Sequence, residues 1–265
     1  MRTSGRTSDR LLSPKLTLAY RFNDRLESYI NWGRGFHSND VRGATITVDP
    51  RTGAPADRVD ALVRSDGAEV GLRYESGRRF NVTLAAFRLE LDSELVFVGD
   101  AGTTEPNDAT ERSGVELATF WQASDWLAVN AAYTVTDAEF RQDQGGGQDI
   151  PGAVGTTLSL GVTGAWKNGL YASARLRYLG DAPLIEDGSV RRDDSLLVNA
   201  GVGYRLHNLE FRVDVFNLLD SDDDDVAYYY ASRLPGEATD GIEDVHFHPL
   251  EPRIVRASVT ALWGK

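Results

Sequence analysis

The sequence predicts an all-β protein, an antiparallel transmembrane β-barrel with about eleven strands present. Three observations predict it. Apolar and polar residues alternate with a period of two along one segment after another. The polar set includes Arg and Glu, which are costly inside a dry sandwich but cost little beside a water-filled lumen. Tight turns and long connections also alternate strictly, which puts short turns on one side of the wall and long loops on the other.

The first strand is Leu12–Phe22, with Leu16, Leu18 and Tyr20 opposed to Lys15, Thr17, Ala19 and Arg21. Asn23-Asp24 turns it into Leu26–Phe36, where Ile30 and Trp32 face outward. A Gly-, Asp- and Pro-rich loop, His37–Asp57, follows. Val63–Ser76 sets Ala68, Val70, Leu72 and Tyr74 against Glu69, Gly71, Arg73 and Glu75, and Gly77-Arg78 turns it. The fourth strand, Arg79–Val98, is long. Its apolar phase runs through Phe80, Val82, Leu84 and Ala86 and then slips to Phe87, Leu89 and Leu91. The slip implies either a β-bulge or a strand that projects beyond the membrane.

After the loop Gly99–Ala109 come Thr110–Gln122, the turn Ser124-Asp125 and Trp126–Phe140. The loop Arg141–Pro151, with Gly145-Gly146-Gly147, leads to Gly152–Trp166, the turn Lys167-Asn168 and Gly169–Gly180. The loop Asp181–Asp193 leads to Asp194–Leu206, the turn His207-Asn208 and Leu209–Leu218. An acidic, aromatic loop, Leu219–Leu250, precedes the last strand, Glu251–Trp263. No segment has a helical pattern. Tyr20, Phe22, Trp32, Tyr74, Trp121, Trp126, Trp166, Tyr204 and Trp263 lie near strand ends, as an interfacial girdle requires.

The composition sets further bounds. The net charge is -12, with part of the acid excess in Asp220–Asp225, and this argues against general nucleic-acid binding. Without Cys there is no disulfide framework and no thiolate metal site. Residues 1–11 read as a disordered stub, and residues 12–265 as barrel. Met1–Arg10 is polar and basic with no apolar core, so it is not a secretory signal. An odd count of antiparallel strands also cannot close on itself without one parallel pairing. Both points lead to the expectation that the chain is part of a longer protein.

Asp214-Val215-Phe216-Asn217-Leu218-Leu219-Asp220 resembles the penultimate-strand motif of TonB-dependent outer-membrane receptors. The segment from Asn31 through Gly33, Gly35, Phe36 and His37 to Asp40 resembles the strand-to-loop segment of the same barrels. The resemblance covers about Leu12 to Trp263. It implies the C-terminal half of a barrel of about twenty-two strands in the bacterial outer membrane. The implied partners are outer-membrane lipid, a plug domain and N-terminal barrel half that lie outside this sequence, the TonB complex acting through the plug, and a scarce small nutrient such as an iron-siderophore complex. The resemblance implies a transporter without a cofactor and not an enzyme. The rival readings are a small outer-membrane barrel enzyme, of protease or phospholipase type, and a soluble all-β binding domain.

Candidate functional residues concentrate in the loops. Asp222, Asp223, Asp224 and Asp225 could offer oxygen ligands to a hard cation, or could form a solvated, self-repelling loop. His246 and His248 share a face if they lie on a strand, and could meet one metal or one anionic ligand. Tyr228, Tyr229 and Tyr230 could stack on a planar ligand or sugar, or could pack at the rim. Arg233 could bind a ligand carboxylate or phosphate, and His37 is a further loop-side candidate. Arg73, Arg175, Arg177, Arg212 and Arg256 face the lumen and are expected to form ladders with acidic neighbours. No Gly-x-Ser-x-Gly or His-Glu-x-x-His pattern is present.

Overall fold

The computed structural model describes residues 6–39, 41–48, 53–56, 58–98, 103–143, 146–236, 238–239 and 241–263. In chain order the elements are β1 (Lys15–Asn23), β2 (Leu26–Ser38), α1 (Val41–Thr45), β3 (Leu62–Ser76), β4 (Phe80–Leu91), β5 (Glu94–Val98) and β6 (Thr103–Asn107). Then come β7 (Thr110–Gln122), β8 (Leu127–Phe140), β9 (Thr156–Ala165), β10 (Leu170–Leu179), β11 (Ala182–Pro183) and β12 (Arg191–Arg192). The last elements are β13 (Ser195–Leu206), β14 (Leu209–Phe216), β15 (Asp224–Ser232), β16 (Ile242–Pro249) and β17 (Ile254–Ala261).

Eleven of these strands form one antiparallel sheet in the order β1-β2-β3-β4-β7-β8-β9-β10-β13-β14-β17. The eleven expected strands are therefore present, each paired with its sequence neighbours. The turns fall within a residue or two of their expected places. At the first, Asp24-Arg25 is the loop, and the Asn23 side-chain oxygen accepts from the backbone N–H of Arg25 (2.9 Å) and Leu26 (3.1 Å).

The long connections carry structure that alternation did not reveal. Three side hairpins, β5–β6, β11–β12 and β15–β16, form small sheets of their own. The short helix α1 corrects the expectation of a helix-free chain, and β15–β16 corrects the reading of Leu219–Leu250 as loop. Gly145 and the first residues of the presumed stub lie outside the described residues.

Cross-strand register assigns each paired strand residue of the eleven-stranded sheet to a face. On one face Leu16, Leu18, Ile30, Val70, Leu72, Leu84, Val115 and Leu117 are between 39 and 59% exposed. No second layer covers these side chains among the described residues, so the wall is not half of a packed sandwich. The opposite face carries Arg73, Arg175, Arg177, Arg212 and Arg256.

The phase slip in the fourth strand has a definite cause. β3 and β4 pair without interruption from Ser65↔Leu91 to Ser76↔Phe80, so no bulge interrupts β4. Phe87, Leu89 and Leu91 lie on the polar face, and Arg88 and Glu90 continue the apolar one. The neighbours change in step. Val115 and Leu117 give way to Ser113 and Glu111 on β7, and Tyr133 and Val135 to Asp137 and Glu139 on β8. Arg88 bonds Glu90 (3.0 Å) and Glu111 (2.6 Å), and Arg141 lies 3.8 Å from Glu90. Above Ala86 the apolar face therefore becomes an ionic rim. The step from Phe80 to Arg88 spans about 26 Å along the strand, or about 20 Å of height at the usual tilt of barrel strands, the order of an outer-membrane apolar band.

Aromatics mark the short-turn edge of this band. Trp126 stacks on Trp166 at 5.2 Å, and Tyr20 meets Phe22 edge-on at 4.9 Å. Trp32 stands higher on β2, opposite Ala68, at the loop-side margin of the band.

On the polar face, large side chains lie along the wall. Tyr29 covers Gly71 and Tyr171 covers Gly203, and an added Cβ at either glycine would collide with the ring. The Tyr171 hydroxyl donates to Glu210 (2.5 Å), with Arg205 over its ring at 4.6 Å. Arg73 sits 5.4 Å over Tyr29. Ion pairs join neighbouring strands, Arg21–Glu27–Arg73 at 3.5 and 3.3 Å and Asp214–Arg256 at 3.3 Å, and Arg212 holds Asp214 from within β14 at 2.7 Å. The half-exposed first ladder contributes little stability and mainly fixes which residues face each other.

Gly203→Val is expected to lift Tyr171 off the wall and cost about 1–3 kcal/mol in urea unfolding from detergent. Adding Tyr171→Ser should recover most of that loss. An equal loss with and without the ring would show that Gly203 does not exist to accommodate it.

Candidate functional site

The long-connection side is built on a junction where β14 ends. Asn217 is 2% exposed with φ of 46°, a left-handed conformation that Asn adopts more readily than other side chains. Its side-chain nitrogen donates to the Ser221 (3.0 Å) and Glu251 (3.1 Å) carbonyls. Its side-chain oxygen accepts from the Ser221 N–H (3.0 Å), and its own N–H donates to Asn199 (2.9 Å). One side chain thus ties the start of the final connection to its end.

Two acidic residues flank this clamp. Upstream, the Asp214 carboxylate is held by Arg212 and Arg256. Downstream, Asp220, with φ of 56°, accepts from the backbone N–H (3.1 Å) and guanidinium (2.8 Å) of Arg253. The segment Asp214–Asp220 is therefore a joint with three separate fastenings.

From this joint rise β15 and β16. Their register pairs Tyr228 with His246 and Val226 with His248. Tyr228, Tyr230, His246 and His248 share one face, and Tyr229 points to the other. Tyr230 stacks on His246 with centroids 3.9 Å apart, and a ring nitrogen of His246 lies 3.1 Å from the Tyr230 carbonyl. Tyr228 is 43% exposed beside them. The structure thus brings together two tyrosines and two histidines of the predicted set. Arg233 is exposed in the connection past β15, and His37 stands on the polar face of β2, in a different sheet.

The acidic run does not converge. Asp223 accepts from the Leu196 N–H (2.8 Å), Asp225 faces Arg177 at 3.6 Å, and Asp220 is taken by Arg253. Among the described residues no group of three or more His, Asp or Glu is placed to hold a metal. Burial pushes the Asp224 carboxyl above the usual range, Asp193 and Asp223 add to this, and Arg192 opposes it. In the neighbouring connection, the Ser189 N–H (2.8 Å) holds the Asp187 carboxyl below its usual range.

Charge separates the two sides of the wall. The five long connections (39–61, 92–109, 141–155, 180–194 and 217–253) hold 26 of the 40 acidic residues and 8 of the 28 Lys and Arg. Their net charge is -18, against -12 for the chain, so the remainder carries +6.

Sequence reasoning missed Asn217, Ser221, Arg253 and the buried Arg192, whose guanidinium donates to the Gly180 carbonyl at 3.0 Å. For Asn217 a partial signal was available, since it is an Asn near the end of the expected strand Leu209–Leu218, but that strand ends two residues earlier, at Phe216, and leaves Asn217 to turn the chain. Arg192 gave none.

Comparison with known proteins adds the following. The family described as TonB dependent receptor-like, beta-barrel matches residues 2–218. The closed form of the ferric-catecholate import receptor Fiu from Escherichia coli K12 superposes with a TM-score of 0.68 at 20% identity, covering 94% of this chain and 34% of the receptor. The ferric yersiniabactin uptake receptor FyuA from Yersinia pestis gives 0.68 at 17% identity, covering 94% and 37%. The FrpB iron transporter from Neisseria meningitidis gives 0.61 at 14% identity, covering 94% and 39%. At these identities the likeness is one of fold. The chain spans a little over a third of the length of these structures.

Asn217→Ala strands the Ser221 and Glu251 groups it now satisfies, at about 1–3 kcal/mol for each buried group left unpaired. Limited proteolysis should then cut 219–250 at least about tenfold faster while the sheet stays intact. Unchanged cleavage would mean that the connection is held by other contacts. Asp224 gives a pH-dependent counterpart. Its raised carboxyl favours the folded hairpin when protonated, and that contribution is lost as pH rises through the raised value. Asp224→Asn should therefore slow amide exchange in β15 at pH 7 and make no difference at acidic pH. A difference that grows toward acid would contradict this sign.

Proposed function

The chain belongs to the TonB-dependent receptor-like β-barrel family, and from that premise we propose that it forms part of an outer-membrane receptor that takes up a scarce nutrient. The observation that carries the proposal is the two-faced wall, with an exposed apolar band bounded by an aromatic edge and an ionic rim. A membrane barrel needs such a wall, and a soluble binding domain would leave the band in water. The charged polar face suits a lumen that holds a plug, through which the TonB complex would act.

Ligand capture belongs to the long-connection side. The face with Tyr228, Tyr230, His246 and His248 is the best-built surface there, with two flat rings already stacked and a third exposed beside them. Such a surface suits a planar or ring-bearing nutrient complex, an iron-siderophore complex among them. Arg73, Arg175, Arg177, Arg212 and Arg256 would line the path below and contact the plug. In this reading the protein is a transporter and catalyses no covalent step.

Replacing residues 222–244 by a short linker in the intact receptor should abolish nutrient uptake and leave the barrel inserted. Undiminished uptake by such a variant would remove the final connection from ligand capture.

A further inference from the structure

We propose that Arg175 and Asn130 form a subsite on the polar face for a carboxylate or similar oxyanion, carried by a solute without net negative charge. The proposal rests on the uptake reading above, which sets Arg175 along the path, and it adds the chemical class of what passes there.

The ion-pair layer of the polar face has a gap at Arg175. Arg21, Arg73, Arg205, Arg212 and Arg256 each have a carboxylate within 3.5 Å, and Arg177 has Asp225 at 3.6 Å. Among the described residues Arg175, which is exposed, has no carboxylate, hydrogen-bond or ring partner. Register explains the gap. Gly161 and Asn199 stand opposite Arg175, and Ser159, Thr163, Leu197 and Gly201 lie diagonally from it. β8 and β9 place no charged residue on this face. The side-chain oxygen of Asn199 already accepts from the Asn217 N–H.

A second free group lies beside it. The Asn130 side chain leans over Gly161, where an added Cβ would lie 3.0 Å from the amide nitrogen, and this amide also has no partner among the described residues. Gly161 separates Asn130 from Arg175 and has no side chain to fill the space. The backbones of β8 and β10 are two interstrand spacings apart, about 10 Å, so an amide N–H and a guanidinium can reach one oxyanion from opposite sides. The exposed Ser159 hydroxyl lies diagonal to both.

Position and charge narrow the class of solute. Arg177 is the next residue on this face toward the long connections, about 7 Å along the strand, and Asp225 ties it to the base of β15. Arg175 therefore lies one step below the hairpin that carries Tyr228 and His246. The long connections above are net -18 and repel a free polyanion. An oxyanion that reaches Arg175 past them belongs to a solute whose other groups offset its charge.

The test labels arginines with phenylglyoxal and reads each site by mass spectrometry. It uses the full chain, and then the intact receptor, in non-ionic detergent and a chloride buffer free of oxyanions. Arg175 should react about tenfold faster than Arg212, which must first leave Asp214. Glycine betaine, a carboxylate joined to a quaternary ammonium, should protect Arg175 and leave the labelling of Arg21 unchanged. Tetramethylammonium, which lacks the carboxylate, should protect neither. Asn130→Ala should raise the betaine concentration for half-protection about fivefold, the worth of one hydrogen bond. Labelling of Arg175 that betaine does not slow, in a chain of normal β-content, overturns the proposal. Stronger protection by acetate than by betaine at low salt overturns the charge class. An Arg175 that is already unreactive in the intact receptor before betaine is added assigns the site to a carboxylate of the plug and also overturns the proposal. Betaine protection in a receptor that takes up no nutrient sinks the uptake reading and leaves the subsite, whereas uptake without protection sinks the subsite alone.

Discussion

Each inner strand of this sheet is held by its two neighbours, and among the described residues no second layer lies beneath it. Where other β-proteins bury one face against a second layer, this wall leaves its leucines and valines uncovered. Cohesion therefore rests on the backbone ladder, which is continuous from β1 to β17. A lipid surrounding makes that ladder stronger, because an unpaired N–H or carbonyl finds no water there. Within the apolar band the period-two alternation follows from the same constraint, since in the proposed membrane setting each residue there suits either hydrocarbon or lumen.

The polar face supplies what a core would otherwise provide. Tyr29 and Tyr171 lie flat over glycines, and arginines lie over the rings. These side chains cover the wall without projecting far into the lumen. Acidic partners, mostly from adjacent strands, hold these arginines, so the layer is built of ion pairs and not of packed hydrocarbon. At β14 the same device becomes a joint. Asp214 fixes the end of the strand, Asn217 reverses the chain, and Asp220 pins the returning segment through Arg253.

The strands and their faces were legible in the sequence because the two-environment rule applies along the whole apolar band. Legibility stopped where the rule stopped. Above Ala86 both faces of β4 meet water, so Phe87 and Leu89 can face the lumen while Arg88 and Glu90 face outward, and the apparent slip is a change of surroundings without a change of register. β15 and β16 were hidden for the same reason. Their faces are both open enough for Asp, Tyr and His to be mixed freely, so no alternation marked them as strands. Four adjacent aspartates suggested a cation site by composition alone. The backbone sends them in different directions, which only the fold could show. The pairing of Tyr228 with His246 depends on the register of that hairpin and was equally out of reach.

The strands are also unequal. β3 has fifteen residues and β8 fourteen, but β9 and β10 have ten each and β14 and β17 eight. At about 3.3 Å per residue, one sector of the wall stands some 20 Å further along the strand direction than the other. The mouth is therefore stepped like a parapet with one low side. The hairpin of β15 and β16 is fastened at that low side, through Asp225 to Arg177 and through Asp223 to Leu196. A solute crossing the tall sector meets rigid sheet, with its Arg88–Glu111 rim. One crossing the low sector meets a two-stranded hairpin that forms a small sheet of its own, so the two directions of approach differ in architecture as well as in chemistry.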